Sequence, residues 1–275
     1  MRNAAKILAR AAVLVAWWGI WIAAAFAACP EQSVPGGTGP FFGRDWLVTY
    51  DGSIGDRFPV RMTLVFDGDT LNGQYFYLKT LRDIRIDGTV SNDRSLILNE
   101  YDSKGVLAAR FTGTFLEKDP KESYGPTTKL RCEVMSGNWE HLSSGKTYPF
   151  YLRSRYAVVA PLSNRYRKVS PDDSAVEQVA ERFLRAVREN NRNIVANVIH
   201  YPFNIYIEGK GPRQISNETE FLRNYELILT PTYRKRLESA IPKHMFFDKH
   251  GFIMLGSNGS PWIGPDLKVW LFGQT

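Results

Sequence analysis

Residues 60–77 read VRMTLVFDGDTLNGQYFY, and their alternation decides the architecture. Val60, Met62, Leu64 and Phe66 are apolar at every second position, with Arg61, Thr63 and Val65 between them. After Asp67-Gly68-Asp69 the same beat resumes at Leu71, Gly73, Tyr75 and Tyr77. Successive side chains of a strand point to opposite faces, so a period of two sorts them into a buried and a solvated face. Two such runs joined by a short turn predict an antiparallel hairpin.

The pattern extends in both directions. Trp46–Tyr50 precedes it. Ile84, Ile86 and Val90 follow, then Leu96, Leu98 and Glu100, then Phe111, Gly113 and Phe115, then Leu130, Cys132 and Val134, then Tyr148, Phe150 and Leu152. Turns such as Ser91-Asn92-Asp93 and Ser103-Lys104-Gly105 separate the runs. Residues 45–153 therefore read as an antiparallel all-β meander of eight strands, a number able to close into a barrel and remove both sheet edges. Four segments share the form apolar-x-Gly-x-apolar: 71–75, 86–90, 111–115 and 135–139. Glycine weakens a strand, so its recurrence implies strong coiling or a facing aromatic ring.

These glycine-centred strands resemble those of avidin-like meander barrels and, more loosely, of lipocalins. The resemblance implies a barrel with room for side chains or one small ligand; the biotin-contacting set of avidins has no counterpart here. Tyr75, Tyr77, Phe111, Phe115 and Trp139 are the candidate ligand-lining aromatics, and a dry packed core is the alternative use of the same rings.

Ahead of the strands, Arg2, Lys6 and Arg10 precede an apolar run from Ala11 to Ala28, followed by Cys29-Pro30. A basic start, an apolar centre and small residues at the end describe an export signal, which implies a periplasmic or secreted protein. Three fates fit residues 1–28. Cleavage can follow Ala25-Phe26-Ala27, or Cys29 can carry a lipid anchor after the weak lipobox Phe26-Ala27-Ala28. The run can also stay as an inner-membrane anchor, since 18 residues at ~1.5 Å each approach a hydrocarbon core of about 30 Å. Membrane contact is then through residues 1–28, and residues 29–44 form a flexible tail.

The formal charge of +7 falls to about +4 without Arg2, Lys6 and Arg10, too little for a nucleic-acid face. One dense basic patch, Arg153, Arg155, Arg165, Arg167 and Lys168, falls in residues 154–171 and its edge. It reads as a solvated linker between domains, or as a contact for an acidic envelope polymer, lipid head group or partner protein. Cys29 and Cys132 permit one disulfide in an oxidising compartment.

From residue 172 the period becomes helical. Ser170-Pro171-Asp172-Asp173 reads as a helix start with Ser170 as N-cap, followed by a stripe of Val176, Val179, Ala180, Phe183, Leu184 and Val187. A second helix holds Ile194–Ile199, a strand covers Phe203–Glu208, and residues 209–214 turn the chain. Helices capped near Asn217 and Thr230 follow, then strands at Met245–Phe247, Phe252–Leu255, Trp262–Ile263 and Leu267–Phe272. This order, with His200-Tyr201-Pro202-Phe203 entering the first strand, resembles the nuclear-transport-factor-2-like (SnoaL, cystatin-like) superfamily. The resemblance implies an α+β cone over residues 172–275, in which a curved sheet wraps the first helix.

No phosphate-binding loop, GxSxG, HExxH or calcium-loop motif is present, and no cofactor or metal site is expected. His200, Tyr201 and Tyr206 are the catalytic candidates: the resemblance implies an acid/base pair at the mouth of the cone from His200 beside Tyr201, with Glu208 and Asp248 elsewhere, and a small apolar substrate held around His200, Tyr201 and Tyr206. The favoured expectation is a multidomain, non-catalytic exported envelope protein that binds a small ligand, envelope component or partner protein. The alternatives are a dehydratase- or isomerase-like cone enzyme for a small apolar substrate, and a membrane-anchored structural adaptor.

Overall fold

The computed structural model describes residues 46–91, 93–116, 134–207, 211–247, 251–255 and 261–271. The leader, the tail, Cys29 and Cys132 lie outside the described residues, and with them the questions of cleavage and of the disulfide. Among the described residues no helix is long and apolar enough to cross a membrane.

Strands β1 (Trp46–Ile54), β2 (Phe58–Asp67), β3 (Thr70–Tyr77), β4 (Ile84–Val90), β5 (Ser95–Tyr101), β6 (Leu107–Leu116), β7 (Val134–His141) and β8 (Lys146–Val159) form a closed antiparallel meander barrel. The alternation works as expected: Met62, Leu64, Leu71, Tyr75, Leu96, Leu98, Phe111 and Phe115 are buried together inside it. Leu130 and Cys132 of the expected seventh strand lie outside the described residues, and the described strand β7 carries the glycine repeat around Gly137. Gly113 and Gly137 face each other across β6 and β7. A Cβ on Gly137 would come within 2.2 Å of the Thr112 carbonyl oxygen, and one on Gly113 within 2.9 Å of the Phe150 ring. Only glycine permits that approach.

The second part is a small α+β region. Helix α1 (Asp173–Arg188) buries Val176, Ala180, Phe183, Leu184 and Val187. Its N-cap is Asp172, two residues later than the Ser170 reading, and Asp172 accepts from the Ser174 amide. The neighbouring Asp173 carboxylate is drawn back to accept the amides of Arg165 and Tyr166, both at 3.0 Å. Helix α2 (Arg192–Val198) leads to a hairpin of β9 (Phe203–Ile207) and β10 (Gly211–Ile215). Residues 211–214 are thus strand rather than turn. Helices α3 (Glu218–Arg223), α4 (Tyr225–Ile228) and α5 (Pro231–Glu238) follow. Asn217 accepts the Glu220 amide while Glu220 accepts the Ser216 amide, a reciprocal cap that starts α3. Two-residue strands β11 (Phe246–Phe247), β12 (Ile253–Met254), β13 (Trp262–Ile263) and β14 (Val269–Trp270) form a separate sheet. The described strands therefore make two small sheets rather than one continuous curved one.

Residues 154–171 are solvated only in part: Arg155, Arg167 and Lys168 are exposed, but other residues of the segment are not. The first six continue β8, and Arg165 and Tyr166 are buried at 7% and 0% exposure. The Tyr166 hydroxyl donates to Glu177 at 3.0 Å and accepts the Met245 amide at 2.9 Å. Arg165 reaches across to Gln74 on β3 at 3.2 Å. The segment is held because its polar groups find fixed partners on both regions.

The outer face of β1–β3 is covered by residues 243–247. Arg61 grips Asp51 with two bonds of 2.7 and 2.8 Å and donates to the carbonyls of Lys243 and His244 at 3.3 Å each. His244 is 1% exposed, packs edge-on against Phe76, and pairs through Nδ1 with the Thr63 hydroxyl at 2.8 Å. Its Nε2 lies 3.2 Å from a carboxylate oxygen of Asp83. Burial, reinforced by the nearby Arg165 charge, pushes the His244 pKa down to about 3.

Candidate functional site

One end of the barrel is open. There the β1–β2, β3–β4 and β7–β8 hairpins flank a cavity of about 440 Å³ lined by Ile54, Phe58, Tyr77, Thr80, Trp139 and Tyr148, with Arg57, Pro59 and Lys79 at its lip. The walls follow from strand register. Phe58 and Ile54 are cross-strand partners at one corner, and Trp139 and Tyr148 are partners at another. Phe58 meets Tyr77 and Tyr148 edge-on at ring distances of 6.1 and 5.9 Å, while Trp139 stacks on Tyr148 at 6.1 Å.

Glu100 lies beneath these rings and is 8% exposed. One of its oxygens, Oε2, accepts the Tyr75 hydroxyl and the Trp139 indole N–H, both at 2.7 Å. The Tyr77 hydroxyl sits 3.4 Å from that of Tyr75, which ties the carboxylate to the cavity wall. Burial, and then the Glu100 charge, raises the Tyr75 hydroxyl far above its ordinary range, so it stays a donor at any physiological pH. Tyr77 is raised as well, again chiefly by burial.

The five sequence-predicted aromatics divide by depth. Tyr77 and Trp139 line the cavity. Tyr75 and Glu100 sit one side chain behind that lining, bonded to each other and next to Tyr77 and Trp139, and Phe111 packs edge-on against Tyr75 at 5.5 Å. Phe115 belongs to the closed half of the barrel, against Tyr50 and Phe66. The sequence reading missed Glu100, Phe58, Tyr148, Arg57 and Lys79 as site residues. Glu100 did carry a signal: it occupies an inward position in the series Leu96, Leu98, Glu100, where the pattern asks for an apolar side chain.

The catalytic candidates do not come together. His200 stacks on Trp270 at 3.7 Å and its Nδ1 is paired with Asp266, which also accepts the Trp270 indole N–H at 2.9 Å. Tyr201 turns inward, donating to the Ala196 carbonyl at 3.0 Å and packing among Phe203 and Phe221. Tyr206 stands on β9 at 62% exposure. His200 is held by a carboxylate, but neither tyrosine is positioned to share a proton with it.

Comparison with protein families, with curated proteins and with solved structures finds no match to this chain. The site is therefore read from its own geometry.

Proposed function

We propose that this chain is an exported, non-catalytic binding protein whose barrel mouth holds one small ligand. The observation that carries the reading is the aromatic cavity of about 440 Å³ standing over a buried carboxylate. That volume falls within the roughly 300–1,000 Å³ of small-molecule sites, which are mostly apolar with a few placed polar groups. Deeper in the barrel Phe111, Phe150 and Leu152 are packed, so the ligand sits at the mouth and does not thread the barrel. Export to the periplasm or beyond is supported by the basic-apolar leader. We read the α+β region as a buttress that holds the β1–β3 side of the barrel. Its kinship with the nuclear-transport-factor-2-like cone rests on the order of helices and strands and on α1 packing against β13 and β14.

The test uses Nile red, a neutral apolar dye that fluoresces when it leaves water. The full chain should show saturable Nile red emission, and Thr80→Trp, which fills the mouth from an exposed position, should remove it. Dye binding indifferent to that substitution would reject the mouth as the site.

A further inference from the structure

We propose that the ligand presents a small organic ammonium group to the floor of the mouth, an inference that rests on the ligand-binding reading above. The first observation is the lopsided bonding of Glu100. Both protein donors, Tyr75 and Trp139, converge on Oε2, and Oε1 accepts no hydrogen bond from any described residue. Oε1 keeps some contact with solvent, and no cation among the described residues pairs with the carboxylate, so it can be reached by a cation from outside. Its field is strong because the surroundings are poorly polarisable.

The second observation is the ring arrangement above the carboxylate. Phe58, Tyr77, Trp139 and Tyr148 enclose the cavity from several sides, and Tyr75 stands edge-on to Tyr77 at 5.6 Å. Aromatic faces carry negative potential and attract organic cations, tryptophan most strongly. The rings and Glu100 act in the same direction: both favour a positive group at the floor and disfavour an anion there. Arg57 and Lys79 lie at the exposed lip, where solvent and salt screen them. There they suit an anionic group at the opposite end of the same ligand, so a zwitterion with its ammonium inward matches the whole cavity.

The experiment is titration calorimetry of the full chain with benzyltrimethylammonium chloride and, separately, with sodium phenylacetate. The ammonium should bind at least ~10-fold tighter than the carboxylate. Glu100→Gln keeps an acceptor for Tyr75 and Trp139 and should weaken the ammonium by about 10-fold. Equal affinities in the native chain, or tighter phenylacetate, would overturn the proposal, as would a Glu100→Gln variant that holds the ammonium undiminished. If that variant does not fold, the comparison of the two probes in the native chain decides alone. Loss of ammonium preference with Nile red still blocked by Thr80→Trp would refute the ammonium and leave the mouth as a binding site. Nile red insensitive to Thr80→Trp would refute the mouth itself.

Discussion

The barrel mouth and the seam between barrel and α+β region both bury charged and hydroxyl groups among aromatic rings, but only the mouth leaves space beside them. At the seam, Arg61, Thr63, Tyr166, Glu177 and His244 bond to one another or to backbone, and the void among Thr63, Arg165 and His244 is about 10 Å³. That is room for one water at most. At the mouth, a single carboxylate takes two bonds, one of them from Trp139 in the wall of a cavity of about 440 Å³. Buried polarity against a closed surface holds parts together, whereas buried polarity against open space is available to something else.

Four measurements would break or sharpen this contrast. The largest effect is expected at the seam. Arg61→Ala strips Asp51 of its bidentate partner and leaves two carbonyls without donors, and should cost about 2–3 kcal/mol in urea unfolding. A loss near zero would mean that the seam does not bind the two regions together.

Acid should act on the seam through His244. Its folded pKa is about 3 against an ordinary 6.5, so below pH 6.5 the unfolded chain takes up a proton that the folded chain refuses. The contribution is fully present above about pH 6.5 and is lost as pH falls toward 3, at up to about 1.4 kcal/mol per unit. Between pH 6.5 and 5 the unfolding free energy should therefore drop by about 2 kcal/mol. His244→Gln should flatten that slope, and an unaltered slope would assign the pH response elsewhere.

The mouth should tolerate change. Glu100→Gln retains an acceptor for both donors and should shift stability by about 1 kcal/mol or less. A much larger loss in thermal unfolding would make Glu100 a structural member like those of the seam. Thr80→Trp, on the exposed lip, should stay within about 0.5 kcal/mol of the native chain. A larger change would show that the lip helps to close the barrel.

The strands of the barrel were legible because each buries one face, and a period of two records that burial directly in the residues. The glycines were legible for a related reason: a residue that weakens strands recurs only where the backbone needs the room, as at Gly113 and Gly137. The seam was not legible. Arg61 and Thr63 occupy the polar beat of β2 and look solvated, yet residues 60–64 are all buried because a second region covers the outer face. Arg165 misled in the same way, since charge in a sequence does not say which partner will bury it, whereas Arg155, Arg167 and Lys168 are exposed. The site was half visible: the inward rings could be named, but not which of them reach the mouth.

By itself, the order of residues determined the meander, the turn positions, the helical stripe of α1 and the change of character near residue 172. All of these arise from burial patterns between neighbours in the chain, which local spacing encodes. Only the tertiary structure brought Glu100 of β5 to Tyr75 and Trp139, 25 and 39 residues away, and set His244 against β2 and β3. Contacts of that range depend on barrel closure and on how two regions dock, and no periodicity within a segment carries that information.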